Sequence, residues 1–198
     1  MKTSRLEAFS DGVVAILITI LVLEFRVPTG STLAALRPML PTFLSYVLSF
    51  VYLGIYWNNH HHMLAAVSRV TGAAMWANLH LLFWLSLVPF STAWMSEHRF
   101  PSIPTAVYGI VLLCAAIAYL VLQTMLLRAE GERSMLRAAI GSDAKGKVSA
   151  LLYCVGIGLS FADRWIALAV YVGVALIWLV PDRRVERHVS TAAREPHE

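Results

Sequence analysis

The sequence predicts an all-helical membrane protein in which six helices cross the bilayer. Its 198 residues are 58% hydrophobic and only 14% charged, with a mean hydropathy of +0.66. A soluble domain of this size carries about a quarter charged residues, so most of this surface must face lipid. A bilayer-spanning helix needs about 20 mainly apolar residues. Six segments meet this requirement, at about residues 6–27, 40–59, 70–95, 103–127, 147–162 and 164–181.

Prolines mark the limits of these spans. Four lie at predicted span ends, where proline is best tolerated: Pro28, Pro101, Pro104 and Pro181. Pro89 instead lies inside the third span, which predicts a kink there and a carbonyl near Leu85 without its helical donor. The fifth and sixth spans are separated only by residues 162–164 and are predicted to form a tight helical hairpin.

The lysines and arginines orient the spans. With six spans and the N-terminus inside, the inner side carries twelve of them and the outer side carries four. This positive-inside bias predicts that both termini are cytoplasmic. Residues 1–181 then form one membrane domain, and residues 128–147 form a polar cytoplasmic loop with a partly helical, surface-lying piece. Residues 182–198 are predicted to be a disordered cytoplasmic tail.

The remaining composition argues against several other classes of protein. The pI near 9.3 could suggest a nucleic-acid partner, but the basic residues cluster between apolar segments, where membrane orientation explains them better. Cys114 and Cys154 each lie inside an apolar span and form no metal-binding or redox pair by spacing. The sequence contains no nucleophile–base grouping and no phosphate-cradling loop, so we predict no enzymatic activity and no cofactor.

The first span combines polar groups with an apolar stripe. Arg5, Ser10 and Asp11 are expensive at membrane depth, where ionisable residues usually face a bundle interior or a water path. At about 100° per residue, Ile16, Ile20 and Leu23 fall on one side of the helix, with Thr19 bordering them. Arg5 and Asp11 are six residues apart, too far for a helical pair, so both are expected to bond elsewhere. The stripe predicts an ion pathway, while simple packing against lipid or neighbouring helices remains the alternative.

Two further groups of polar residues could have a function, as metal ligands, as hydrogen-bonding partners or as part of a pore mouth. His60, His61 and His62 diverge by about 100° each on a helix, so they converge poorly on one metal ion. We therefore expect no metal site. Trp57, His61 and Asn78 are instead predicted to hydrogen-bond inside the bundle and to hold Ser10 and Asp11 in place. Glu24 either forms an acidic ring at the outer mouth of a pore or is a solvated helix end.

The start of the first span resembles a known family signature. Arg5, Phe9, Ser10 and Asp11 reproduce without departure the Arg-x-x-x-Phe-Ser-Asp motif of the transmembrane protein 175 family of potassium channels. Residues 78–97 and 56–61 are also similar to the family's third and second helices. The six-span layout matches a whole bacterial subunit, so the resemblance covers about residues 1–181.

The resemblance implies a fold, an assembly and an activity. Bacterial members assemble as homotetramers in a bacterial-type inner membrane, surrounded by lipid, with the first helices lining the pore. Five positions after the aspartate, Ile16 would form the constriction, with Ile20 and Leu23 continuing the apolar lining and Thr19 corresponding to an ion-coordinating threonine. Arg5, Phe9, Ser10 and Asp11 would anchor this helix. The implied permeant ion is potassium, with rubidium and caesium expected to follow. Where some relatives have a serine before the constriction, this chain has Ala15, which weakens the expected selectivity.

The sequence itself is compatible with such a channel but leaves rivals open. It contains no TVGYG-like filter and no arginine ladder, so neither carbonyl coordination of potassium nor voltage sensing by that route is expected. A ring of isoleucines could pass partly dehydrated cations and gate by dewetting. The alternatives are a secondary cation or proton-coupled carrier, against which no pair of broken helices in matching halves is found, and a non-conducting scaffold.

Overall fold

The computed structural model describes residues 3–130 and 144–179, which form helices joined by turns and loops and contain no strand. Their α-helices are, in chain order, α1 Thr3–Val22, α2 Leu40–Ala65, α3 Gly72–Ser86, α4 Val88–Glu97, α5 Ser102–Glu130, α6 Ala144–Leu159 and α7 Arg164–Leu179. A short 3-10 helix, Leu33–Met39, leads directly into α2. Because only Leu87 separates α3 from α4, the seven α-helices of the described residues form six spans. The predicted all-helical, six-span fold is confirmed.

By length and composition, three helical stretches can cross a bilayer on their own. They are Leu33–Ala65, Gly72–Glu97 and Ser102–Glu130, while Arg164–Leu179 is a shorter apolar helix. The first helix has 20 residues, about 30 Å at 1.5 Å per residue, but its N-terminal half carries Arg5, Glu7 and Asp11. We call this half the inner one, after the orientation that the sequence predicts. The helix can therefore be stable in the membrane only if neighbouring helices satisfy these groups.

The third span is broken near its predicted kink. Pro89 lies in the first turn of α4, and the break falls two residues earlier, at Leu87. Proline has no backbone N–H to donate to the Leu85 carbonyl. The Leu87 N–H, which caps α3, bonds the Leu85 and Trp84 carbonyls instead. The chain then continues as α4 with a bond from the Ser91 N–H to the Leu87 carbonyl of 3.0 Å.

Several helix boundaries differ from those expected from hydropathy. The first helix ends at Val22 rather than near residue 27. The second and fourth spans continue to Ala65 and Glu130, because a helix can extend past the apolar layer into the polar interface. The predicted loop 128–147 is therefore shorter than expected at both ends. Its centre, 131–143, and the predicted tail, 182–198, lie outside the described residues.

The helices pack around two buried clusters. An aliphatic cluster joins α1, the inner part of α2, α3 and α5, and it includes Leu17, Leu53 and Leu81. A second cluster joins α2, α4, α5, α6 and α7 and is rich in tyrosine: Tyr52, Tyr108, Tyr153 and Tyr171. The first helix thus packs against α2, α3 and α4, while α6 and α7 form the opposite side of the subunit.

The fifth and sixth spans form the tight hairpin that the sequence predicts. A turn follows α6, with the Asp163 N–H bonding the Leu159 carbonyl at 2.8 Å. The Asp163 carboxylate then accepts from the N–H groups of Trp165 and Ile166, at 2.8 and 3.3 Å. This side-chain cap satisfies backbone donors at the start of α7 and fixes where the helix begins.

Candidate functional site

The first helix has one buried side and one exposed side. The buried side carries Leu6, Ser10, Val14, Leu17 and Leu21. The exposed side is also largely apolar, although it faces no other part of the described chain: its exposed residues include Phe9, Ile16, Thr19 and Ile20. Ile16 exposes 59% of its surface. Exposed apolar faces of this kind are covered by lipid or by another protein chain, or they line a pathway for ions or water.

A buried chain of three polar side chains holds the inner half of α1 against α3. The Asn78 amide nitrogen donates to the Ser10 hydroxyl at 2.9 Å, and the Asn78 carbonyl oxygen lies 2.7 Å from Nε2 of His60. Ser10 in turn donates to the Leu6 carbonyl of its own helix at 2.9 Å. All three side chains are buried. Because their polar atoms are paired, they are tolerated at membrane depth and fix α1 relative to α2 and α3.

Two further contacts tie α1 to α2 alone. The indole N–H of Trp57 donates to the Asp11 carboxylate at 3.0 Å, and Nδ1 of His61 lies 2.6 Å from the Glu7 carboxylate. Residues 7 and 11 are one helical turn apart on α1, and 57 and 61 are one turn apart on α2. The two helices run in opposite directions, so the pairs match in reverse order. These contacts form a polar ladder at the inner end of the helix pair.

The other predicted anchor residues point away from this ladder. Arg5 and Phe9 are exposed, and Arg5 has no ion-pair or hydrogen-bond partner among residues 3–130 and 144–179. They lie on the same side of α1 as Ile16. Of the four residues in the motif, only Ser10 and Asp11 therefore take part in bonds within this subunit.

The predicted lining residues differ in their surroundings. Ile16 and Ile20 are exposed one turn apart on the helix. Thr19 uses its hydroxyl proton in a 2.7 Å bond to the Ile16 carbonyl, which leaves the hydroxyl oxygen as an exposed acceptor. Leu23 lies just beyond the last helical residue, and its N–H closes a tight turn onto the Ile20 carbonyl at 3.0 Å.

The outer end of α1 contains the predicted mouth residue. Glu24 is exposed and lies in the turn after the helix. Two residues later, Arg26 pairs with Glu97 of α4 at 3.1 Å. The outer end therefore has one exposed ion pair where the inner end has a ladder and a buried chain.

Sequence reasoning missed two members of this network, His60 and Glu7. Among three consecutive histidines, His61 was expected to face α1, whereas His60 also participates and bonds Asn78. The signal for Glu7 is its spacing of four from Asp11, mirrored by the spacing of four between Trp57 and His61. In the part of the chain that the structure describes, no three metal-ligating side chains converge. His60 and His61 instead bond separate partners.

Comparison with known proteins gives this arrangement a context. The profile of the family described as the endosomal/lysosomal potassium channel TMEM175 matches residues 5–89, which contain the whole polar network. A potassium channel of Chryseobacterium sp. (strain P1-3) is 54% identical over 190 residues, covering 96% of this chain and 99% of the relative. A potassium channel of Streptomyces collinus is 35% identical over 188 residues, covering 89% of this chain and 91% of the relative.

A solved structure matches the whole fold. The crystal structure of a lysosomal potassium-selective channel TMEM175 homolog from Chamaesiphon minutus superposes with a TM-score of 0.79 at 32% identity. The match covers 90% of this chain and 96% of that chain.

The fold and the network define a multi-span membrane protein whose first helix is fixed by polar contacts and exposes an apolar face. The matching family and relatives are ion channels and not enzymes, as the sequence predicted. The chain belongs to the TMEM175 family.

Proposed function

We propose that this chain is one subunit of a homotetrameric, potassium-preferring cation leak channel whose pore is lined by four copies of α1. The observation that carries the proposal is the exposed apolar face of α1, with Ile16 at its centre, on a helix anchored from its other side. A monomer would leave this face without a protein partner. Four copies around an axis would turn it into a pore wall and would give Arg5 and Phe9 neighbours from the adjacent subunit.

The names of the relatives support the type of activity. The bacterial relatives from Chryseobacterium and Streptomyces are called potassium channels, and the Chamaesiphon homolog is called potassium-selective. The Chryseobacterium relative is matched over 99% of its length, so the similarity extends over the whole of a protein that bears this name.

The proposed selectivity depends on the cost of removing water. A ring of four Ile16 side chains offers no oxygen ligands, so an ion must pass it with part of its hydration shell removed. Potassium is less strongly hydrated than sodium and pays less at such a ring, and rubidium and caesium should pass for the same reason. Exposed hydroxyl oxygens of Thr19, one turn further out, would receive the ion next to the apolar rings of Ile20 and Leu23.

The orientation follows from the distribution of charge. The distribution of basic residues supports an orientation in which the inner ends of α1, α2 and α3 face the cytoplasm at a bacterial-type inner membrane. The anchor network then lies at the cytoplasmic end of the pore helix. Glu24 would lie at the outer mouth, where four carboxylates would raise the local concentration of cations.

The test is ion flux through purified protein in liposomes, measured for potassium and sodium at equal gradients. Wild type should pass potassium faster than sodium. Ile16→Asn should lower the potassium-to-sodium ratio several-fold, because a polar ring removes the dehydration barrier. The matched control is Ile103→Asn on α5, which changes a side chain of similar exposure, 61% against 59%, away from α1. No flux from intact oligomers, or equal effects of the two substitutions, would overturn the proposal.

A second candidate function is proton conduction along the same route. The relatives from Gallus gallus and Homo sapiens are called endosomal/lysosomal proton channels, and they match 49% and 37% of this chain. The same liposomes with a pH-sensitive dye inside distinguish the two. Acidification driven by a proton gradient without added potassium or sodium would favour this candidate.

A further inference from the structure

The aromatic residue Phe9 is the member of the Phe-Ser-Asp sequence whose role the polar network does not explain. Ser10 and Asp11 bond to α3 and α2, at 2.9 and 3.0 Å, whereas Phe9 exposes 53% of its surface. A residue that anchored α1 within the subunit would be buried against another helix. The exposure of Phe9 therefore points to a role outside the packing of its own subunit.

Phe9 lies on the same line along α1 as the two exposed isoleucines. At about 100° per residue, Ile16 is turned by about 20° from Phe9 around the helix axis, and Ile20 is turned by about 20° in the opposite sense. All three side chains are exposed. Any arrangement that turns the Ile16 side chains of several copies towards a common axis therefore turns their Phe9 side chains towards it as well.

The polar contacts of α1 fix the direction in which Phe9 points. Glu7 and Asp11 contact α2, and Ser10 contacts α3, so the bonded residues flank Phe9 in the sequence. They are turned by about 100–200° from Phe9 around the helix axis. Because α1 cannot rotate to bury the Phe9 ring in its own subunit without breaking these contacts, the ring is held on the outside.

The helix between Phe9 and Ile16 presents little side-chain volume on this side. Seven residues at 1.5 Å each separate the two by about 10.5 Å along α1. Gly12 lies between them and is exposed, and a Cβ added there would meet no atom within 4 Å. Arg5, one turn beyond Phe9, has a long side chain whose charged end can reach water outside the apolar layer. In the described part of α1, Phe9 is thus the innermost large apolar side chain on the exposed side.

We propose that Phe9 lines the pore, and that four Phe9 rings form a second apolar barrier near its inner end. The inference rests on the proposed function, since it requires α1 to line a pore. An ion then crosses two apolar rings in series, at Phe9 and at Ile16, and each ring can exclude water. Gly12 leaves a wider part of the path between them. The bonds of Ser10 and Asp11 hold the phenylalanine towards the axis, which gives the three consecutive residues one role.

The first test is potassium flux through the full chain in liposomes, with Phe9→Asn beside wild type. A polar ring stays wet where an apolar ring excludes water, so flux should rise at least about threefold. The matched control is Phe83→Asn on α3, which the proposal places outside the pore. Phe83 exposes 55% of its surface against 53% for Phe9, and its replacement should leave flux unchanged.

The second test places a metal-binding group at the proposed barrier. Phe9→Cys is made in a chain whose Cys114 and Cys154 are replaced by alanine, and cadmium is present on both sides of the membrane. Thiolates bind soft metal ions, and four of them around the axis can share one ion, so cadmium should lower potassium flux at least about fivefold. In the same background, Phe83→Cys should show no effect of cadmium.

The outcomes separate this inference from the proposed function. If wild type and Ile16→Asn carry no flux, the proposed function fails and the second barrier fails with it. If those two proteins behave as proposed but both Phe9 variants behave like their Phe83 counterparts, only the second barrier is overturned. Loss of oligomers in both Phe9 variants, with intact Phe83 variants, would show that Phe9 packs against a neighbouring subunit as an anchor, and this result would also overturn its place in the pore.

Discussion

The inner half of α1 and the tyrosine cluster around Tyr171 both bury polar side chains, but they use them differently. Around α1, side chains of different helices bond each other, as Asn78 does with Ser10 and His60. In the tyrosine cluster, Tyr52 donates to the Tyr171 carbonyl at 2.6 Å. The first region depends on which donors and acceptors are present. The second also contains a bond between side chains, from Tyr108 to Ser49 at 3.0 Å, but the position of Tyr171 within it depends mainly on shape.

The shape of the second region is set by two glycines. A side chain added at Gly109 of α5 or at Gly156 of α6 would collide with the Tyr171 ring or hydroxyl. Tyr171 is fully buried between them and contacts the rings of Tyr108 and Tyr153. Without a Cβ at either position, the three helices approach closely enough to enclose a tyrosine. Close approach at small residues is a common way to pack membrane helices.

The largest effect should come from filling this space. Gly156→Leu should destabilise the subunit by about 3 kcal/mol, because the new side chain must displace the buried ring of Tyr171. The measurement is the midpoint of unfolding in a denaturing detergent. Gly158→Leu is the control on the same helix, since a Cβ there meets no atom within 4 Å. If Gly156→Leu and Gly158→Leu lowered the stability equally, the close fit of Tyr171 against Gly156 would not be what stabilises this region.

A smaller effect should come from removing the chemistry of the first region while keeping its shape. Asn78→Leu is close to isosteric, but it removes the bonds to Ser10 and His60 and should cost about 1–2 kcal/mol. If α1 lines the pore, potassium flux should change as well.

The control for this variant is Ser91→Ala on α4. Ser91 is also buried, but its hydroxyl bonds only the Val88 carbonyl of its own helix, at 3.1 Å. Ser91→Ala should lower the free energy of unfolding by less than Asn78→Leu does, and it should leave potassium flux unchanged. If Ser91→Ala and Asn78→Leu lowered the stability equally, the bonds of Asn78 between helices would stabilise the subunit no more than a hydrogen bond within one helix does.

The two regions also differ in how far the sequence could predict them. The sequence predicts that the polar start of α1 has bonding partners, because Ser10 and Asp11 before an apolar segment are costly in a membrane without them. The pairing of His60 with Asn78 was missed, since three consecutive histidines do not reveal which one faces which neighbour. The fit of Tyr171 between Gly109 and Gly156 involves three helices. Spacing within one helix carries no information about such a contact.

The helix boundaries show a related limit. Hydropathy marks the apolar layer, so it placed the end of the fourth span near residue 127, although the helix continues to Glu130. The Glu130 carboxylate accepts from the N–H groups of Ser68 and Arg69, at 2.7 and 2.9 Å, which gives this last turn a tertiary role. Glu130, which hydropathy assigned to a loop, is therefore the last residue of α5, and its contacts with Ser68 and Arg69 hold that end of the helix.

The smallest effect should come from the outer end of α1. Arg26 and Glu97 form an ion pair whose side chains are 89% and 59% exposed, so water and salt screen it. Arg26→Ala should change the free energy of unfolding by less than about 0.5 kcal/mol, with little dependence on salt concentration. Near this end, the Phe25 ring packs edge-on against Phe43 and Tyr46, and this contact remains in the variant. The inner end, by contrast, is tied by bonds to Ser10 and Asp11. If Arg26→Ala cost as much as Asn78→Leu, polar contacts would anchor α1 at both ends, and the contrast between its inner and outer halves would be lost.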